Sequence, residues 1–165
     1  MAGRTSRRPR KPPAGTAYDG GIRLLARRAH SRAELRQKLT RRGFEPDDVD
    51  AAVVRLAEMG YLDDAAFARG LVRRRSGSRG ALALSAELAA KGIDREGSAA
   101  ALAGLDEDAQ LSAATRVAER LYAARPSPGY REMLDSVGAK LARRGFPAGI
   151  VRAACRAVLA DRLEA

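Results

Sequence analysis

The 165-residue chain has one cysteine, one histidine and no tryptophan. A single cysteine excludes an internal disulfide and is typical of a reducing compartment. Because Cys155 matches apolar positions of the repeat described below, we expect it to be a small buried hydrophobic residue. A zinc site or a Ser/His/Asp or Cys/His catalytic set would depend on His30 alone, which looks exposed and has no partner at metal-binding spacing. We therefore expect neither.

Long apolar runs are also missing. No segment reaches the ~18 apolar residues of a membrane span, and the basic N-terminus lacks the apolar core of a secretory signal. No G-x-x-x-x-G-K-[ST] phosphate loop occurs. The acidic pairs at Asp63-Asp64 and Asp106-Glu107 stand at predicted helix starts, where acids complement the helix dipole. The sequence thus predicts a cytoplasmic protein that is not an enzyme and needs no cofactor or metal.

Positive charge is abundant. The net charge is +11, from 31 basic and 20 acidic residues, and the pI is near 10.9. This favours polyanionic partners: nucleic acid, an acidic protein surface or an anionic membrane. Aromatic residues make up only 4%, so sequence-specific stacking on single strands is weakly supported. Residues 1–16 contain five basic residues, three prolines and no acid, which predicts a disordered tail. This tail either binds phosphate groups or has no function.

A short motif recurs along the chain. Lys38-Leu-Thr-Arg-Arg-Gly-Phe44 returns as Lys140-Leu-Ala-Arg-Arg-Gly-Phe146, and Glu87-Leu-Ala-Ala-Lys-Gly-Ile93 is a weaker copy. Alignment on the three glycines also aligns apolar positions six, ten and thirteen residues downstream, apart from one serine. Such an echo at fixed offsets indicates one helical unit used several times.

Helical periodicity and capping residues place this unit in an all-α fold. Ser31-Arg-Ala-Glu34 is typical of a capping box, Gly43 of a helix end and Pro46 of a first helical position. Breaks at residues 73–80 and 125–129 look like linkers, with Ser127 and Pro128 starting the next helix. We predict three tandem three-helix repeats in an elongated, curved helical array. Their bounds are 1–16 for the disordered basic tail, 17–75 for repeat 1, 76–125 for repeat 2 and 126–165 for repeat 3.

Basic residues cluster with the repeat. On adjacent repeats such clusters could line one groove for a phosphate chain or an acidic protein filament; the alternative is a solvated surface between apolar stripes. The candidate binding residues are Arg36, Lys38, Arg41, Arg42, Arg73, Arg74, Arg75, Arg79, Lys140, Arg143 and Arg144.

Several ordered motifs resemble one known family. The stretch Leu24-Leu-Ala-Arg-Arg-Ala-His-Ser31, then Gly60-Tyr-Leu-Asp-Asp64, then the three glycine motifs are similar to those of RecX, the bacterial regulator of the RecA recombinase. The resemblance spans about residues 19–160. It implies three tandem three-helix repeats with a basic concave face, in agreement with the periodicity.

The resemblance also implies a function. RecX-like proteins bind the RecA–DNA filament and limit its recombinase, ATPase and coprotease activities, so the chain would regulate DNA repair, homologous recombination and the SOS response. Single-stranded or duplex DNA would be contacted through the basic surfaces, and we expect a monomer. Two alternatives remain: an autonomous basic protein that competes for single-stranded DNA, and a helical adaptor for another acidic protein.

Overall fold

The computed structural model describes residues 14–123 and 129–163, without the side chains of residues 161–163. Every regular element in these ranges is helical, so the predicted all-α class is confirmed. The helices are α1 (Ala17–Leu25), α2 (Arg32–Arg42), α3 (Pro46–Glu58), α4 (Asp64–Arg75), α5 (Ala81–Ala90), α6 (Arg95–Leu102), α7 (Glu107–Tyr122), α8 (Tyr130–Met133), α9 (Ala139–Arg143) and α10 (Ala148–Leu163). A π-helical turn, Leu134–Gly138, joins α8 to α9.

The helices form two compact units, one ending at Asp64 and the other beginning at Ala65. In the first unit, α1, α2 and α3 enclose one hydrophobic core around Leu35, Leu39 and Leu56. The second unit holds two cores. One joins α4 to α5 through residues such as Phe67 and Leu84, and the other joins α7 to α10.

The predicted bounds of the three repeats, 17–75, 76–125 and 126–165, stay a prediction, and the first boundary lies near the core that α4 and α5 share. Phe67 and Leu71 of α4 pack with Leu84 and Leu88 of α5, so residues 76–80 connect two helices of one core. The arginine-rich loop looked like a linker because it is polar, but polarity alone does not separate a loop within a module from a loop between modules. Residues 1–13 of the predicted tail, and Ser127 and Pro128, lie outside the described residues; the next described helix begins at Tyr130.

The repeated motif ends a helix in the same way three times. Gly43, Gly92 and Gly145 have φ of 95°, 74° and 82°, in the left-handed region that glycine adopts at little cost. In each copy the residue after the glycine donates its N–H to the leucine carbonyl five residues earlier, the pattern of a Schellman motif. The donor–acceptor pairs are Phe44 to Leu39 at 3.4 Å, Ile93 to Leu88 at 3.0 Å and Phe146 to Leu141 at 3.3 Å.

The apolar residues of the motif are core residues. Leu39, Leu88 and Leu141 have no exposed surface, and the residue after each glycine is buried as well. The residues six positions after each glycine, Val49, Ser98 and Val151, are also buried. Cys155, ten positions after Gly145, has no exposed surface. The repeat therefore specifies packing and helix ends, which leaves its basic residues on the surface.

Helix starts also follow the sequence. The Ser31 hydroxyl accepts the Glu34 N–H at 3.1 Å, and the Asp94 and Asp106 carboxylates cap α6 and α7 at 2.7 and 2.8 Å. Each cap satisfies a backbone donor that has no partner inside its helix. The first helix ends at Leu25, and a turn leads from it to His30.

Candidate polyanion-binding surface

Four predicted binding residues lie on α2 of the first unit. At about 100° per residue, Lys38, Arg41 and Arg42 fall on one side of the helix and Arg36 on the other. The Arg36 Nε donates to Asp50 Oδ1 of α3 at 2.6 Å. This pair neutralises the Arg36 charge and joins two helices, although both side chains are exposed and such pairs contribute little stability. Among the four, Arg36 is therefore the weakest candidate for binding an anion.

A second group of charges in this unit is structural. Arg28 makes two hydrogen bonds to the Glu34 carboxylate, at 2.7 and 3.1 Å, and His30 Nδ1 lies 3.0 Å from Glu34 Oε2. The expectation that His30 is exposed is wrong, because its side chain is only 1% exposed. Burial lowers the pKa of His30 more than the Glu34 hydrogen bond raises it, so the neutral ring is favoured. The hydrogen bonds that Arg28 donates to Glu34 raise the pKa of Arg28 and keep it charged.

The second unit brings two of the predicted basic clusters together at one seam. Gly80 donates its N–H to the carbonyl of Arg144 at 3.0 Å, and Leu82 donates to the carbonyl of Gly145 at 3.1 Å. Between them, the Ala81 N–H is accepted by the side chain of Gln110 at 3.1 Å. The N-cap residue of α5 is Gly80, which has no side chain to cap the helix. The backbone of the loop after α9 and the side chain of Gln110 in α7 therefore accept the first N–H groups of α5.

Two glycines allow this close approach of backbones. A Cβ on Gly80 would lie 2.3 Å from the Gly145 oxygen, and a Cβ on Gly145 would lie 2.3 Å from the backbone nitrogen of Ala83. Side chains larger than hydrogen are therefore excluded on both sides of the seam. Gly145, the glycine of the third motif copy, therefore ends α9 and also contacts the start of α5.

The seam joins two stretches of chain that contain no acid. Residues 65–86 hold five arginines, and residues 136–160 hold five further basic residues. We use "seam surface" for Arg73, Arg74, Arg75, Arg79, Lys140, Arg143 and Arg144. Five of the seven are exposed, and Lys140 and Arg144 are half-buried. Within the described residues one carboxylate pairs with this surface, that of Glu87, 3.5 Å from Arg75.

Sequence reasoning missed some exposed cations near these clusters. Arg152 and Arg156 of α10 belong to the second acid-free stretch and are exposed. The absence of acids over residues 136–160 was the signal that could have found them. Arg23 and Arg27 of the first unit are exposed as well and lie outside the predicted set.

Other kinds of site find no support in the described part of the chain. Residues 14–123 and 129–163 hold no group of three or more His, Cys, Asp or Glu side chains placed to bind a metal ion. The helices found there are also too short or too polar to cross a membrane.

The arrangement is that of a known family. The description "RecX, first three-helix domain" matches residues 17–56, and "RecX, second three-helix domain" matches residues 63–102. The first span contains α1, α2 and nearly all of α3, and the second contains α4–α6; these are the same groups that share cores. In solved structures the fold resembles RecX from Lactobacillus salivarius, with a TM-score of 0.75 at 21% identity over 86% of this chain and 94% of that one.

Curated relatives are more similar in sequence. The Regulatory protein RecX of Xanthomonas citri is 41% identical over 158 residues, covering 94% of this chain and 95% of its own length. That of Stenotrophomonas maltophilia R551-3 is 40% identical over 152 residues, covering 90% of this chain and 91% of its own. Identity at this level along nearly the whole of both chains shows that the protein belongs to the RecX family.

Proposed function

We propose that this protein is a non-enzymatic modulator of RecA that binds the RecA–DNA filament and limits its recombinase, ATPase and coprotease activities. The family resemblance suggests RecA as the partner, and the seam surface is the observation that supports binding to a polyanionic assembly. Seven basic residues lie on two backbone segments fixed by hydrogen bonds. Their spacing is thus set by the fold, so less side-chain and loop ordering is needed on binding.

Several moderate contacts suit a filament. A filament presents the same surface and the same phosphates at regular intervals, so separate basic clusters can engage successive sites. Linked contacts of this kind raise the overall affinity well above that of each cluster. The protein would need no deep pocket and no chemistry of its own, and it would act as a monomer in the cytoplasm.

Titration into RecA on single-stranded DNA tests this proposal. The protein is added to preformed filaments, and ATP hydrolysis and strand exchange are measured against the ratio of protein to RecA. Inhibition at substoichiometric ratios supports action on the filament. If inhibition requires enough protein to saturate the free DNA and disappears with excess RecA, competition for DNA explains it and filament binding is rejected.

A pair of charge-matched variants links this effect to the seam surface. Arg79→Gln with Arg143→Gln removes two seam cations, whereas Arg116→Gln with Arg120→Gln removes two cations of α7 whose side chains are bonded within that helix. We expect the first variant to need several-fold more protein for half-inhibition and the second to behave like the parent. Equal effects would mean that net charge matters and the seam does not.

A second candidate function is autonomous binding to single-stranded DNA, and the two acid-free stretches favour it. Fluorescence anisotropy of a labelled oligonucleotide without RecA, repeated over a range of salt, measures this activity. Each phosphate contact on a single strand contributes about 0.7 to the slope of log affinity against log salt. Deletion of residues 1–13, which contain all five basic residues of the tail, leaves Ala14 and the Thr16 cap of α1 in place and would lower that slope by at most about 3.5. An unchanged slope would show that the tail does not touch DNA.

A further inference from the structure

A separate basic depression lies in the first unit. It has a volume of about 400 Å³, within the roughly 300–1,000 Å³ of small-ligand sites. Its lining consists of Ala14, Gly20, Arg23, Arg27, Arg42 and Phe44. Half of these residues are arginines, and Arg42 is the one of the three arginines that belongs to the repeated motif.

Two of the arginines are held by backbone oxygens. Arg23 Nη2 donates to the carbonyl of Ala14 at 3.1 Å, and Arg42 Nη1 donates to the carbonyl of Gly20 at 3.5 Å. Arg27 follows Arg23 by four residues, in the turn that closes α1, and is exposed. A carbonyl orients a guanidinium without cancelling its charge. Each guanidinium has five N–H donors, of which such a bond uses one.

These bonds distinguish Arg23 and Arg42 from Arg28 and Arg36 of the same unit. Arg28 and Arg36 both end on carboxylates, whereas the described part of the chain places no carboxylate within ion-pair distance of Arg23, Arg27 or Arg42. The acid nearest in sequence, Asp19, stays charged, because the Thr16 hydroxyl and N–H donate to it at 2.7 and 3.2 Å, and it interacts electrostatically with Arg23. With three guanidiniums against this one carboxylate, the described surface of the depression keeps a net positive charge.

We propose that Arg23, Arg27 and Arg42 form a phosphate-binding site, distinct from the seam surface and independent of RecA. Three guanidiniums around one depression match the several acceptor oxygens of a phosphate group, which arginine binds through paired N–H donors. The phosphate belongs either to a nucleic-acid backbone or to a free polyphosphate, and the chemistry of recognition is the same for both.

Binding of a labelled single-stranded oligonucleotide, without RecA, tests the first source. Arg23→Gln with Arg27→Gln removes two contacts, so we expect the salt slope of the affinity to fall by up to about 1.4, twice the 0.7 of one contact. The Arg116→Gln and Arg120→Gln variant has the same net charge and serves as the control, with an unchanged slope. Arg23→Lys with Arg27→Lys keeps the charge and should retain most of the slope.

Calorimetric titration with tripolyphosphate tests the second source on the same variants. Loss of tripolyphosphate affinity in the Arg23 and Arg27 glutamine variant alone would assign the site to free polyphosphates, and loss of the oligonucleotide slope alone would assign it to the backbone. If this variant matches the control with both ligands, the site does not exist. Far-UV circular dichroism confirms folding, and RecA inhibition is scored separately, so failure here leaves the RecA proposal standing.

Discussion

Replacement of Gly145 by alanine should damage the second unit more than its small size suggests. Gly145 has φ of 82°, and a Cβ there would meet backbone and Cβ atoms of Ala83 at 2.3–2.8 Å. Such contacts cannot be relieved by rotating a side chain. The loop after α9 or the first turn of α5 must move, and the hydrogen bonds from Gly80 and Leu82 would then be broken.

The magnitude follows from two separable costs. A left-handed backbone costs a non-glycine residue roughly 1–2 kcal/mol. Each lost hydrogen bond removes a net of about 1 kcal/mol, so two remove about 2 kcal/mol. We expect Gly145→Ala to lower the free energy of unfolding by about 3–4 kcal/mol, a large part of the stability of a small domain.

Two further substitutions isolate these costs. Gly60 has φ of 76° and open space at its Cβ position, so Gly60→Ala bears the backbone cost alone. Gly80 has φ of −80°, which any residue adopts, and its Cβ would lie 2.3 Å from the Gly145 oxygen, so Gly80→Ala bears the clash alone. We expect losses of roughly 1 and 2 kcal/mol respectively.

Urea unfolding followed by circular dichroism gives these free energies, and hydrogen exchange at the amides of Gly80 and Leu82 reports on the seam itself. Gly145→Ala and Gly80→Ala should both speed exchange at these two amides, while Gly60→Ala should not. A Gly145→Ala variant no less stable than Gly60→Ala, with protected seam amides, would refute the close backbone approach.

Three further predictions concern single groups. Because burial lowers the pKa of His30, the unfolded chain takes up its proton first as the pH falls below about 6.5; Arg28 and Lys38 oppose the charged ring and Glu34 favours it. Stability measured by urea unfolding should therefore decrease from pH 7 to 5.5, and His30→Gln should flatten this dependence. Gly149→Ala, in the first turn of α10 with open space at its Cβ, should stabilise by about 0.5–1 kcal/mol in the same assay. Burial encloses Cys155 and raises the pKa of its thiol, so a disulfide reagent should react slowly with the native protein and quickly in urea; rapid native labelling would contradict its place in the core.

The sequence was sufficient to predict features that depend on local chemistry. A helix end at Gly43 or Gly145 requires a left-handed residue followed by an apolar one, and both requirements are visible within a few letters. The helix starts at Ser31 and Asp106 are local in the same way. The register of the repeat then predicted that Val49, Val151 and Cys155 are buried. Residues at the same number of positions after the glycine lie on the same side of the following helix in each copy.

Features that depend on distant residues were not predictable from the same letters. The burial of His30 is not visible in the local sequence, although its partner Glu34 stands only four residues away. The grouping of α4 with α5 depends on which apolar stripes meet, and these stripes look alike in every copy of the repeat. The seam required knowing that Gly80 meets Gly145 across 65 residues of chain, and no local pattern reports such a contact.

Charge alone also gave an incomplete account of binding. Arg28, Arg36 and Arg42 are equally basic in the sequence, but the first two end on carboxylates and the third on a carbonyl. A carboxylate consumes the charge of an arginine, whereas a carbonyl fixes its position and leaves the charge available to a ligand. Within the first unit, Arg23 and Arg42 are oriented by backbone carbonyls and are therefore better placed to bind a polyanion than Arg36, which pairs with Asp50. This criterion adds Arg23 to the candidates and demotes Arg36.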